Sequence, residues 1–170
     1  AALEAARGAD VIVTLGGASV GDHDLVAEVL GAQGLDLAFH RVAMRPGKPL
    51  MTGRIGGALM LGLPGNPVSA MVCGEIFLRP AVEAMLGLPA RPRARRAVAL
   101  AGDLPANGPR EHYMRAAFEA GAGGQAVRVF ENQDSSLLAT LARADALVVR
   151  APDAPALPAG ATVEAIALDA

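Results

Sequence analysis

The chain has 170 residues, enough for one ordinary domain or two small ones. Hydrophobic residues make up 52% and charged residues 19%, which excludes a disordered polar chain. A formal net charge of -2 excludes the strongly basic surface expected of a nucleic-acid binder, and the single cysteine, Cys73, excludes an internal disulfide or a cysteine-rich zinc site. The first ten residues hold acidic side chains and no apolar signal-peptide core, and no run of about 18 apolar residues occurs. The expectation is a cytoplasmic protein with no membrane partner. The chain starts without Met and inside a helical pattern, as the C-terminal part of something longer would.

The elements read in order as two units, 1–89 and 90–170. Asp10–Leu15 is a β-branched run that reads as a buried strand entering the Gly16-Gly17 turn. Leu25, Val26, Val29 and Leu30 recur at helical spacing. Leu35–Met44 reads as a strand, and Leu50–Thr52 and Ala58–Leu61 as two more joined at Gly56-Gly57. Asn66 is a good N-cap with Pro67 behind it at the first helical position, and Val68, Met71, Val72 and Ile76 supply a buried stripe. Pro80 should kink or restart that helix. Strands alternating with helices imply an α/β layer. The stretch around Pro89–Arg96, with four arginines, reads as a solvated boundary. Beyond it, strands are expected near 97–101, 113–118, 126–130, 145–149 and 162–168, with a helix near 136–143; short strands with Gly and Pro turns suggest a small barrel.

Three loops after apolar strands carry the chemistry. Gly16-Gly17-Ala18-Ser19-Val20-Gly21-Asp22-His23-Asp24 has the glycines and serine to wrap an anion with backbone N–H groups, but lacks both the dinucleotide fingerprint and the Walker lysine. Met44-Arg45-Pro46-Gly47-Lys48-Pro49 contains the only lysine in the chain, between two prolines, with Arg41 and Arg45 nearby. A compact ammonium on a stiff loop suits an oxyanion. Gly62-Leu63-Pro64-Gly65-Asn66-Pro67 opens a helix. Together the loops offer amides, cations and a carboxylate pair, a set that could hold an anion and a magnesium ion together. The bland readings stay open: a tight turn whose acids cap a helix, a surface turn with an incidental lysine, a plain helix start. Cys73 sits on an apolar stripe, and His40 and His112 in strand patterns, so all three read as structural.

The ordered set GGASVGDHD, MRPGKP and GLPGNPVSA, followed by GPREHYMRAAF, ENQDSSLLATLARADALVVRAP and LPAGATVEAIAL, resembles the molybdopterin molybdenumtransferase family (MoeA and the gephyrin E-domain) over essentially the whole chain. The resemblance implies an α/β/α layered molybdopterin-binding domain, partial because its N-terminal strands are missing, followed by a small C-terminal β-barrel domain. It implies a transferase that inserts molybdate into adenylylated molybdopterin and releases AMP, with magnesium. Gly16, Gly17, Ser19 and Gly21 match the family's ligand-cradling loop, and Asp24 its closing acid, a catalytic or metal-associated carboxylate. Lys48, Arg41 and Arg45 match the oxyanion-holding loop, with arginine where lysine is common in relatives. Pro64, Gly65, Asn66 and Pro67 match the LPGNP loop, and Ser135 a serine in a Gln-x-Ser turn. The family's TGDE-like strand and its further domains are missing, and its sites draw acids from those parts across a homodimer interface, so this chain is expected to bind weakly and not to turn over alone. Three other readings remain: a molybdopterin adenylyltransferase-like enzyme, a noncatalytic gephyrin-like scaffold, and a structural fragment.

Overall fold

A computed structural model of the chain describes residues 2–17, 25–121 and 123–168. Helix α1 (Ala2–Ala5) precedes β1 (Val11–Leu15), and α2 (Leu25–Ala32) precedes β2 (Asp36–Arg41). Then come β3 (Met44–Arg45), β4 (Pro49–Ile55) and β5 (Ala58–Leu63). The first sheet has the order β1-β5-β4-β2, with β1 parallel to β5 and the other pairs antiparallel. Its buried centre is β4 and β5, where Leu50, Met51, Met60, Leu61 and Leu63 lie inside. The expectation that β1 is buried is corrected: it is an edge strand, and Leu15 is 73% exposed. Its run of Val and Ile signals strand but not the number of neighbours. The single strand expected over 35–44 is two. β2 carries register shifts around Phe39, and β3 leaves for the other sheet.

Asn66 caps the next helix as expected: its Oδ1 accepts from the N–H groups of Val68 and Ser69 at 3.1 and 3.3 Å. Helix α3 (Pro67–Cys73) buries Val68, Ser69, Val72 and Cys73, while Met71 points outward. A π-helical turn (Gly74–Leu78) separates α3 from α4 (Arg79–Met85), so the helical run is re-phased just before Pro80 rather than broken there.

The second half forms β6 (Arg96–Leu100), β7 (Glu111–Gly121), β8 (Gly124–Val129), the short α5 (Leu138–Ala142), β9 (Ala146–Arg150) and β10 (Thr162–Ala167). The order β7-β8-β6-β10-β9 closes through β7–β9 pairing into a five-stranded barrel. The period of two along β9 divides its side chains between two cores. Ala146 and Val148 fill the barrel with Val98, Leu100, Val127 and Val163. Leu147 and Val149 face outward and pack with Leu61, Leu63, Val68, Val72 and Cys73 from the first half. β3 adds itself to the barrel sheet by pairing in parallel with the start of β7, Met44 opposite Glu111 and Arg45 opposite His112. The α/β region and the barrel therefore share a core and a sheet.

The arginine stretch is largely exposed, as expected of a boundary, but three of its four arginines are engaged. Arg93 Nε lies 2.6 Å from Glu75 of the π turn, Arg95 bridges Glu111 and Glu164 at 3.0 and 3.2 Å, and the Arg96 guanidinium stacks 4.1 Å above the Phe118 ring. Carboxylates and a ring spaced along the path turn a flexible composition into a strap. Among the described residues, no helix is long and apolar enough to cross a membrane.

Candidate functional site

Parallel pairing of β1 with β5 ends with Leu15 opposite Leu63, so the loops that follow leave the sheet together. The N–H of Gly16 donates to the Leu63 carbonyl at 3.0 Å. Gly16 and Gly65 then meet backbone to backbone: a β-carbon on Gly65 would sit 3.2 Å from the Gly16 α-carbon. Gly17 follows, packed under Val26 of α2. Ser19, Gly21 and Asp24 lie outside the described residues. In the third loop Pro64 is buried, Gly65 is the contact point, Asn66 is spent on capping and Pro67 is exposed.

The second loop is held from two sides. Its start is β3, hydrogen-bonded to β7, and the Arg45–Pro46 peptide is cis. Gly47 has φ +111, and a β-carbon there would lie 2.4 Å from Cys73 Sγ. The Cys73 thiol donates a long hydrogen bond, 4.0 Å, to the Gly47 carbonyl, and burial pushes that thiol up to about 12. It is an inert packing group, as expected of a desolvated cysteine. Helix α3, which begins in the third loop, is thus the floor of the second. The Lys48 side chain itself is exposed.

Lys48 faces a cleft of about 320 Å³ lined by the Arg45–Pro49 loop, Ser69 of α3, Arg110, and the Gln133-Asp134-Ser135 turn. That turn is built on buried Arg115 of β7. Arg115 Nη1 donates to the Asp134 carbonyl at 2.9 Å, and its Nε to Gln133 Oε1 at 3.2 Å. The Gln133 amide also donates to the carbonyls of Arg115 and Phe130 at 2.9 and 2.8 Å. The Asp134 carboxylate accepts from the Ser136 N–H at 2.8 Å, and that bond, aided by the charges of Arg115 and Arg45, holds its pKa below the usual carboxylate range. Cations prevail here: burial first, then the charges of Arg45, Arg115 and Arg110, lower the pKa of His112 to about 4.

The structure therefore brings Lys48, Arg45 and Ser135 together. Arg41 ends β2 opposite Pro49, exposed and outside the lining of this cleft. Ser69, Arg110, Gln133 and Asp134 were missed by sequence reasoning. Gln133 and Asp134 stood within the quoted ENQDSS, and Ser69 stands one turn behind the Asn66 cap. Among the described residues, no group of three or more His, Cys, Asp or Glu could hold a metal ion. An exposed ammonium, two guanidiniums and two hydroxyls, with no thiolate in the cleft, form a receptor for an oxyanion.

Residues 1–84 match the family described as "Probable molybdopterin binding domain", and residues 97–168 match the MoeA C-terminal region, domain IV. The chain is 38% identical over 120 residues to molybdopterin molybdenumtransferase 2 of Mycobacterium tuberculosis, covering 68% of this chain and 30% of that protein. It is 32% identical over 164 residues to the molybdopterin molybdenumtransferase of Staphylococcus aureus, covering 96% and 39%. The chain thus spans about a third of the length of these relatives. The crystal structure of a molybdopterin biosynthesis MoeA protein from Pyrococcus horikosii superposes with a TM-score of 0.79 at 25% identity, covering 99% of this chain and 40% of that one. Sequence likeness running through both the α/β region and the barrel places this chain in the molybdopterin molybdenumtransferase (MoeA) family, to which it belongs.

Proposed function

We propose that the chain carries one part of a molybdopterin molybdotransferase active site, in which the Lys48 cleft seats molybdate. The supporting observation is the convergence of Lys48, Arg45, Arg110 and Ser135 around one cleft from three separate stretches of chain. Molybdate is a tetrahedral dianion. Two guanidiniums and an ammonium, less the Asp134 carboxylate, balance its charge, and the Ser69 and Ser135 hydroxyls can donate to its oxygens. A lysine on a loop braced by Pro46, Pro49 and the Gly47–Cys73 contact loses little freedom on binding.

Adenylylated molybdopterin is the proposed second substrate, lying along the Gly16–Gly65 seam, from which α3 leads to Ser69 of the cleft, with its dithiolene toward the molybdate. Gly16, Gly17, Ser19 and Gly21 are assigned to cradling its phosphates and Asp24 to the insertion step. The dithiolene sulfurs then receive molybdenum, and hydrolysis of the adenylate releases AMP. The whole enzyme is proposed to be a homodimer that completes the site with acidic residues from its other parts. In the full-length parent, Lys48→Ala should weaken molybdate binding by about 1–3 kcal/mol, the loss of a charge-assisted hydrogen bond. Calorimetry showing unchanged affinity would reject the assignment. Mixed with both substrates, the chain alone is expected to bind them without releasing AMP.

A further inference from the structure

A second cavity, of about 460 Å³, adjoins the Lys48 cleft and shares Arg45, Gln133 and Asp134 with it. Its other walls are the ends of β7 and β9 and the loop at Pro105–Gly108. Two of its wall side chains are more than nine-tenths buried, yet lack the partners such groups normally have. Arg150, 4% exposed, has no carboxylate partner among the described residues. Its Nη2 donates only to the carbonyls of Pro105, Ala154 and Pro155, and its Nε has no acceptor. The ring of His112, 6% exposed, makes no hydrogen bond with any other described residue. Buried charges are ordinarily paired, so a guanidinium held by carbonyls alone, with Nε unsatisfied, beside an imidazole with no hydrogen bond among the described residues requires an explanation.

The surrounding charges point to its sign. In the lining, Arg45 on β3 and Arg150 on β9 equal Glu131 and Asp134 in number, and the charges of Arg110, just before β7, and Arg115, within it, also act on His112 and tip the balance to positive. Asp134 is already engaged by the Ser136 N–H. We propose that this cavity is a second anion site, distinct from the Lys48 cleft, which takes a tetrahedral oxyanion of the phosphate class between Arg45, His112 and Arg150. The oxyanion supplies the counter-charge that Arg150 lacks and an acceptor for the His112 ring. Pro105, Ala106 and Met114 line the remaining space, which gives room for the organic portion of a phosphate monoester. The inference does not rest on the molybdate reading.

The test is a proton NMR titration of the imidazoles, which number three in the chain, with inorganic phosphate and, separately, phenyl phosphate as probes. Either probe should raise the pKa of His112 from about 4 toward the ordinary histidine value of about 6.5, at least a tenfold gain in proton affinity. A response to phenyl phosphate at lower concentration than to phosphate identifies an ester as the natural ligand class; equal responses identify the free ion. Lys48→Ala should preserve the His112 response, whereas Arg150→Gln should abolish it. Should Arg150→Gln fail to fold, His112→Gln serves instead, and calorimetry should then show one phosphate site fewer than in the parent. A His112 titration indifferent to both probes, or a response lost with Lys48→Ala, overturns the proposal. A failed Lys48 assignment leaves this readout untouched.

Discussion

The side-chain amide of Gln133 pairs in both directions with the backbone of Arg115: the Arg115 N–H donates to Oε1, and Nε2 donates to the Arg115 carbonyl, each at 2.9 Å. The β7–β8 ladder has its pair Ala116–Val129 at that end, and the glutamine extends it by one rung while turning the chain into the cleft. A side chain that mimics a strand fixes the turn more tightly than a solvated loop would be fixed.

Gln133→Ala should therefore destabilise the chain by about 1–3 kcal/mol, because the Phe130 carbonyl, the Arg115 N–H and the Arg115 Nε lose this partner, while the Arg115 carbonyl keeps only the Phe130 N–H. Urea unfolding measures it. The same variant should weaken oxyanion binding more than Ser135→Ala does, since it frees the whole turn. Equal effects of the two variants on binding would show that the turn is not held through Gln133.

Gly47→Ala meets two obstacles at once, a left-handed backbone and the Cys73 sulfur at 2.4 Å. The expected loss is about 1–3 kcal/mol, as for an overpacked core position. Adding Cys73→Ala removes the worst collision and leaves the backbone cost and a 3.2 Å approach to Met44 Sδ. Thermal unfolding of both single variants and the double should thus be non-additive, the double less destabilised than the sum.

The pH dependence of stability has two limbs with different owners. On the acid side, the unfolded His112 imidazole takes a proton below about 6.5, whereas the native one resists until about 4. Stability therefore falls as pH drops through that window and levels off beneath it, as far as this group is concerned. On the alkaline side, burial pushes the Cys73 thiol, and burial with the hydrogen bond to Glu111 pushes Tyr113, up to about 12, so stability falls as pH rises from about 9 toward 12. His112→Gln should flatten the first limb, and Tyr113→Phe combined with Cys73→Ala the second, with either single change removing only part of it, read by denaturant midpoints across pH.

Arg93 joins three pieces of the molecule: the strap before β6, Glu75 on the π turn, and the Ala167 carbonyl at the end of β10, 3.3 Å away. Its side chain is only 15% exposed, so the ion pair is better shielded than a surface one. Arg93→Ala should cost about 1–3 kcal/mol by leaving Glu75 and a backbone carbonyl short of a donor. Hydrogen exchange of the residue 88–95 backbone should accelerate first. Arg95→Ala, whose partners are more exposed, should cost less than about 1 kcal/mol.

Much of the local structure was legible from neighbours along the chain. The Asn66-Pro67 cap needs only the N–H groups two and three residues on, and the barrel strands declare themselves by alternation and by glycine turns. The exposure of Leu15 was not legible, because an apolar strand reads alike at the edge and in the centre of a sheet. Nor was the strap: composition shows four arginines, but only the fold puts Glu75, Glu111, Glu164 and Phe118 within reach of three of them.

The sequence by itself determined the elements, the order of the three loops, and Lys48 as the singular cation, since those depend on residue type and short spacing. That Lys48 meets Ser69, Arg110 and the Gln133–Ser135 turn was decided only by tertiary structure. The two-residue pairing of β3 with β7 sets the register between the halves, and contacts distant along the chain follow from that register rather than from any pattern within a loop.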